Sequence, residues 1–198
     1  MAGKNRFDQA RLINIANFLT TMRLLLAPLF VYLLLASKEK LALVVFMLCG
    51  LTDGLDGILA RRLRQRTILG AYLDPIADKF LIAAAFIVLS YLKIVPLWLT
   101  VLVISRDIFI VVGSTLYLML VDHTDIRPTL ASKVNTVVQI LSVFYFLTYA
   151  AFPELPWFLS AWSSPLVASL FIWLCAATTA ISGAQYLLMG IKALSHEP

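Results

Sequence analysis

The sequence predicts an all-α integral membrane protein: six transmembrane helices, an N-terminal interfacial helix, and both termini on the cytoplasmic side (or the matrix side of a mitochondrion). Three observations carry that expectation. Hydrophobic residues make up 61% of the 198 and charged residues only 14%. Mean hydropathy is +0.91, well above that of ordinary soluble domains. The apolar residues are also gathered into six runs, each near the roughly 20 residues a bilayer core requires.

Those runs fall at 18–36, 41–60, 69–92, 94–121, 134–152 and 165–191. The stretch 1–17 carries Lys4, Arg6 and Arg11, with Leu12, Ile13 and Ile15 interleaved among polar residues. That pattern suits a juxtamembrane helix lying on a membrane surface. The first long run, Phe18 to Ala36, contains Arg23 and lacks a small-residue cleavage pattern, so no removable signal peptide is expected. Leu155 to Ser164 with Pro153, Pro156, Trp157 and Trp162 reads as an interfacial loop, since tryptophan favours the headgroup level. No internal repeat or low-complexity tract is visible. One domain over 1–198 is expected, with 18–191 as its six-helix bundle.

Basic residues set the sidedness. Lys4, Arg6, Arg11, Arg61, Arg62, Arg64, Arg66, Arg127, Lys133 and Lys192 fall on one side of the predicted spans; only Lys38, Lys40 and Lys93 fall on the other. Ten against three places the richer side in the cytoplasm or matrix. The net charge of +5 follows from that bias and suits an anionic lipid surface; no nucleic-acid partner is expected. Cys49 and Cys175 are isolated in apolar runs and match no metal or redox spacing, so they read as small core residues.

Against this background four aspartates stand out: Asp53 and Asp56 in the second run, Asp74 and Asp78 in the third. Ionisable groups are costly inside a bilayer, and their default reading is a functional site. At about 100° per residue, Asp53, Asp56, Gly57 and Ala60 share an arc of about 100°, and Gly70, Asp74 and Asp78 an arc of about 80°. Carboxylates and small residues thus lie on the same faces of a helical hairpin. Four neighbouring carboxylates cannot all ionise without cations. Oxygen-only ligands select hard divalent ions, and two such ions bring the cluster to neutrality. Paired divalent ions on bridging carboxylates suit displacement at phosphorus, and Arg61 could meet a phosphate oxygen bidentately. The bland alternative is that the aspartates only pair with Arg23, Lys79, Arg106 and the loop arginines. A bundle needing only packing gains nothing from four acids in register beside glycines.

The pattern D-x2-D-G-x2-A-R-x8-G-x3-D-x3-D from Asp53 to Asp78 closely resembles the signature of the CDP-alcohol phosphotransferase family, with every fixed position present. The resemblance implies that Asp53, Asp56, Asp74 and Asp78 bind two divalent ions (Mg2+ or Mn2+) and that Asp78 also serves as general base. It implies that Gly57 and Ala60 leave room for a cytidine nucleotide, with Asp53 and Gly70 also at the CDP site and Arg61 on its phosphates. Homodimers with the active site facing the cytoplasm are common in the family. Either the bacterial cytoplasmic membrane or the mitochondrial inner membrane would suit this chain. A divalent-cation transporter is the competing class. It would need a midplane site between repeats, and this chain shows neither.

Other segments bear on the acceptor. The start, Asn14 to Asn17 with Leu19, Thr20 and Arg23, is similar to the segment shared by phosphatidylglycerophosphate synthases and cardiolipin synthases, except that Ala16 replaces the usual proline. Ser105-Arg106-Asp107 and Ser132-Lys133-x-Asn135-Thr136-x2-Gln139 resemble the cardiolipin synthase versions. That likeness implies CDP-diacylglycerol as donor and phosphatidylglycerol as acceptor, with glycerol 3-phosphate as the alternative. Arg23, Arg106, Lys133 and Asn135 are the candidate acceptor-binding residues. Arg106 and Asp107 can equally satisfy one another at a helix interface, and Lys133 can simply snorkel.

Overall fold

A computed structural model describes the backbone of residues 15–63, 68–120, 129–153 and 164–194, and side chains within 22, 24–52, 79–113, 129–153 and 164–189. Among the described residues every element is a helix: α1 Ile15–Leu35, α2 Glu39–Leu63, α3 Ile68–Tyr91, α4 Leu97–Leu120, α5 Leu130–Ala151 and α6 Pro165–Leu194. Each overlaps one of the six apolar runs. The expected interfacial helix over 1–17 falls mostly outside the described residues, as do the Leu155–Ser164 loop and the arginines at 64 and 66.

Helix ends explain where the boundaries differ from the hydropathy runs. α1 and α3 both stop in a left-handed residue, Ser37 at φ 55° and Lys93 at φ 60°. Ser37 N donates to Leu34 O at 3.1 Å and Lys38 N to Leu33 O at 2.9 Å; Lys93 N donates to Ser90 O and Ile94 N to Leu89 O in the same pattern. These paired bonds satisfy carbonyls that a helix end leaves open. The α3 stop, followed by Pro96, delays α4 to Leu97, three residues later than its apolar run. α5 begins earlier than its run, because Thr129 is extended and its hydroxyl accepts from Ser132 N at 3.2 Å. α6 opens on Ser164, whose hydroxyl accepts from Val167 N at 3.3 Å, followed by Pro165 in the first helical position. α2 runs on through Arg61 and Arg62, which the hydropathy reading left in the loop.

The chain divides into two compact units, residues 1–84 and 85–198. In the first, α1 packs on α2. Ala27, Phe30 and Leu34 are buried on α1, and Ala42, Phe46 and Cys49 on α2, each series at helical spacing. Phe30 and Phe46 meet with ring centroids 6.0 Å apart. Pro28 stands inside α1 and withdraws one amide from its ladder.

In the second unit α6 packs on both α4 and α5. Tyr145 stacks on Phe171 at 4.4 Å and lies edge-on to Phe146 at 5.0 Å. Trp98 and Trp173 meet at 5.7 Å. The Thr100 hydroxyl donates to Phe86 O at 3.2 Å, tying α4 to the end of α3. Cys175, like Cys49, is buried and forms no disulfide, as its apolar setting predicts.

Exposed surface on the helices is apolar, with Leu25, Leu51, Phe109, Leu166 and Trp173 among many outward-facing residues. By length and hydropathy, Leu130–Ala151 of α5 and Pro165–Met189 of α6 are each long and apolar enough to cross a membrane. A non-glycine residue held in the left-handed region costs about 1 kcal/mol. Ser37→Gly and Lys93→Gly should therefore each stabilise the protein by about 0.5–1 kcal/mol, seen as a higher midpoint in thermal unfolding of the detergent-solubilised protein. A lower midpoint would contradict the assignment of these helix ends.

Candidate functional site

Two polar systems interrupt the apolar helices. The first is the carboxylate motif. Asp53, Asp56, Gly57, Ala60 and Arg61 all lie on α2, within its last three turns, and Gly70, Asp74 and Asp78 on the first three turns of α3. All eight belong to the first unit. An unbroken helical backbone through each half of the motif maintains the phase that puts its members on one face per helix. Their side chains lie outside the described residues, as does that of Arg23 on α1. Among the described residues no three His, Cys, Asp or Glu side chains gather closely enough to hold a metal, which leaves the four aspartates untested.

The second system belongs to the second unit and is built from α4, α5 and α6. Arg106 on α4 is 4% exposed, and its guanidinium is the hub. Nε donates to Ser182 Oγ at 3.2 Å and Nη2 to the same oxygen at 2.6 Å. Nη2 also donates to Ser132 Oγ at 2.8 Å. Nη1 meets Asp107 Oδ1 at 2.5 Å, a charge-neutralising pair with both partners largely shielded. One side chain thus joins α4 to the first turn of α5 and to the middle of α6. A buried charge is tolerable only when paired and hydrogen-bonded, and each of its three nitrogens has such a partner.

One turn further along α5, Asn135 is fully buried. Its Oδ1 accepts from the hydroxyl of Thr179 at 2.9 Å and lies 3.0 Å from that of Thr178. The Thr178 hydroxyl also has Leu174 O at 2.9 Å and Cys175 O at 3.2 Å, so its single proton has three acceptors in reach. Gln139 and Ser142 continue the buried stripe of α5, while Cys175, Thr179 and Ser182 form the facing stripe of α6. Spacings of three and four residues keep each series on one face.

The sequence-predicted acceptor residues therefore divide. Arg106 and Asn135 are buried at the α6 interface, each with partners, whereas Lys133 is exposed in the first turn of α5. Reading the sequence missed the α6 half: Thr178, Thr179 and Ser182 pass for ordinary small residues in an apolar run. Their signal was periodicity, because 175, 179 and 182 repeat the spacing of 135, 139 and 142 across the interface.

Loss of the hub is expected to be severe. Arg106→Met removes the buried cation that joins the three helices and takes the guanidinium from the half-buried Asp107, and about 3–5 kcal/mol of stability should go with it. Ser182→Ala should cost about 1–2 kcal/mol, and Arg106→Lys should not restore the three-helix junction, because an ammonium lacks the fork. Thermal unfolding of the three variants in one detergent checks the order. A wild-type midpoint for Arg106→Met would contradict it.

Comparison with known proteins gives these arrangements a family. Residues 13–187 match the family model for CDP-alcohol phosphatidyltransferase. The chain is 38% identical over 196 residues to a cardiolipin synthase (CMP-forming) of Rattus norvegicus, covering 90% of this chain and 62% of the rat protein. It covers 48% of the human protein of that name, so it spans roughly half to three-fifths of the length of these relatives. It is 33% identical over 192 residues to a probable phosphatidylglycerophosphate synthase of Mycobacterium tuberculosis, with 93% and 85% covered. A CDP-diacylglycerol--glycerol-3-phosphate 3-phosphatidyltransferase of Bacillus subtilis is 30% identical over 198 residues, with 92% and 98% covered. With the family pattern matched along nearly its whole length, the chain belongs to the CDP-alcohol phosphatidyltransferase family.

Proposed function

We propose that this chain is a membrane-embedded, metal-dependent phosphatidyltransferase that moves the phosphatidyl group of CDP-diacylglycerol onto a hydroxyl of phosphatidylglycerol, giving cardiolipin and CMP. The observation that carries the reading is the complete pattern from Asp53 to Asp78 inside a family match over 13–187. Its membrane setting is six spans in one domain over 1–198, with both termini on the cytoplasmic or matrix face. The membrane is a bacterial cytoplasmic or mitochondrial inner one, and the working form is a homodimer. Two sufficiently apolar helices and an apolar exterior support that setting.

The donor set of Asp53, Asp56, Asp74 and Asp78 is all oxygen, which fits hard divalent ions and not zinc. The chemistry supplied by two bound ions, Mg2+ or Mn2+, is neutralisation of these carboxylates and of phosphate oxygens. Gly57 and Ala60 leave space for the cytidine nucleotide, with Asp53 and Gly70 beside it, and Arg61 orients its phosphates. Asp78 takes the proton of the acceptor hydroxyl as that oxygen bonds to the lipid-side phosphorus. The bond from that phosphorus to the CMP oxygen breaks, and CMP leaves with the electron pair. The residues mainly position the reactants and balance charge.

Acceptor choice rests on Ser105-Arg106-Asp107 and on the segment from Ser132 to Gln139. Arg23, Arg106, Lys133 and Asn135 are assigned to the acceptor half. The exposed Lys133 offers a cation suited to a single phosphodiester charge, while Arg106 and Asn135 hold the α5 turn that carries it. A second reading, glycerol 3-phosphate as acceptor, is favoured by the near-complete coverage of the Mycobacterium and Bacillus relatives.

Purified protein supplied with CDP-diacylglycerol, Mg2+ or Mn2+, and both acceptors at equal concentration should yield a product with the mass of cardiolipin. Phosphatidylglycerophosphate as the main product would transfer the assignment to the second reading, and CMP release with neither product would sink both. Asp78→Asn should lower turnover by about 10²–10⁴-fold, the share typical of a general base, with an unchanged melting midpoint. Full activity in that variant would remove Asp78 from the base role.

A further inference from the structure

The polar seam between α5 and α6 has a mismatch in its hydrogen bonding. Asn135 and Gln139 are one turn apart on α5, at 0% and 1% exposure. Asn135 turns its carbonyl oxygen to the threonine hydroxyls of α6, which directs its amide nitrogen away from them. That nitrogen, Nδ2, and Nε2 of Gln139 are both buried with no hydrogen-bond partner among the described residues. Two –NH2 groups on one helix face therefore have no acceptor there. A buried donor left unmade costs about 1–3 kcal/mol, and native structures rarely leave one unanswered.

The chemistry of the missing partner follows from what surrounds it. N–H donors repel a cation, so a metal does not fit. An anion is disfavoured too, because Arg106, the buried cation nearest along the seam, is already neutralised by Asp107. What fits is a neutral oxygen with free lone pairs. The seam can also accept in return. The Ser142 hydroxyl gives its proton to Val138 O at 2.8 Å and the Thr179 hydroxyl gives its own to Asn135 Oδ1 at 2.9 Å, so both oxygens retain lone pairs. The two amide donors already supply the minimum of the two to four polar partners that an internal water requires.

We infer that Asn135 and Gln139 form a buried site for a neutral oxygen acceptor, filled either by an internal water or by an ester carbonyl of a bound glycerolipid. Asn135 is held in its donating orientation by Thr178 and Thr179, and Gln139 supplies the second donor one turn deeper. The site lies in the second unit, on α5, and needs no assumption about which acceptor the enzyme uses.

The test reads structure and stability, not turnover. In a high-resolution structure of the full-length protein, purified in a maltoside detergent, density for one ordered oxygen is expected within hydrogen-bond distance of both amide nitrogens. Gln139→Leu, close in volume and without the amide, should lower the melting midpoint by about 2–6 °C, and Gln139→Met should do the same. Adding ester-linked phosphatidylglycerol or its ether-linked analogue separates the sources. Stabilisation of wild type, and not of Gln139→Leu, by the ester lipid alone assigns the oxygen to a lipid carbonyl. Equal behaviour with both lipids assigns it to water. A dry seam, with the Asn135 amide turned over so that Gln139 donates to its oxygen, would overturn the inference. So would a midpoint that is unchanged or raised in both Gln139 variants, since removing an unanswered donor relieves a penalty.

Discussion

A full charge held among apolar helices must be answered where it stands, and Arg106 meets that requirement by drawing three helices to one point. Its guanidinium reaches Ser132 of α5 and Ser182 of α6, while Asp107 cancels its charge. Apolar packing among lipid-exposed helices is weakly directional, because lipid tails are as apolar as leucine. Close-packed residues such as Tyr145, Phe146 and Phe171 add area. The fork of hydrogen bonds adds register, fixing which turn of α5 and which turn of α6 face α4. The depth of the α5 start, and hence of Lys133, follows from that register and from the Thr129 cap.

The same constraint treats the two polar systems differently. On α4–α6, every formal charge in the seam has a protein partner, and what is left over is neutral amide. On α2 and α3, four carboxylates fall on two short stretches of helix beside glycine and alanine. The α4–α6 system is suited to hold helices; the carboxylates are proposed to hold cations and the phosphates they bring.

Much of this was legible before any coordinates. Six helices follow from six apolar runs, and the carboxylate motif from its spacing alone, because a 3.6-residue period converts sequence distance into a shared face. Helix ends were less legible. Hydropathy places α4 at Ile94, but the left-handed Lys93 and Pro96 delay it. It starts α5 at Val134, but the Thr129 cap starts it at Leu130, since capping depends on one hydroxyl and hydropathy averages over many residues. Arg106 and Asp107 meet as a pair in the structure, a contact that two adjacent charges allowed without fixing the serines that complete it. Ser182, Thr178 and Thr179 were invisible singly, because small polar residues are common in membrane helices and only their registration against α5 distinguishes them.

The central claim is that the four aspartates form a divalent-metal centre for phosphatidyl transfer. Counting bound Mn2+ by electron paramagnetic resonance, in the purified protein with CDP-diacylglycerol, tests it most directly. The account predicts two ions per chain in wild type, and loss of that binding together with cardiolipin formation when Asp53 and Asp74 are both replaced by asparagine. Unchanged Mn2+ binding in the doubly substituted protein, or full activity with all divalent ions chelated, would contradict it.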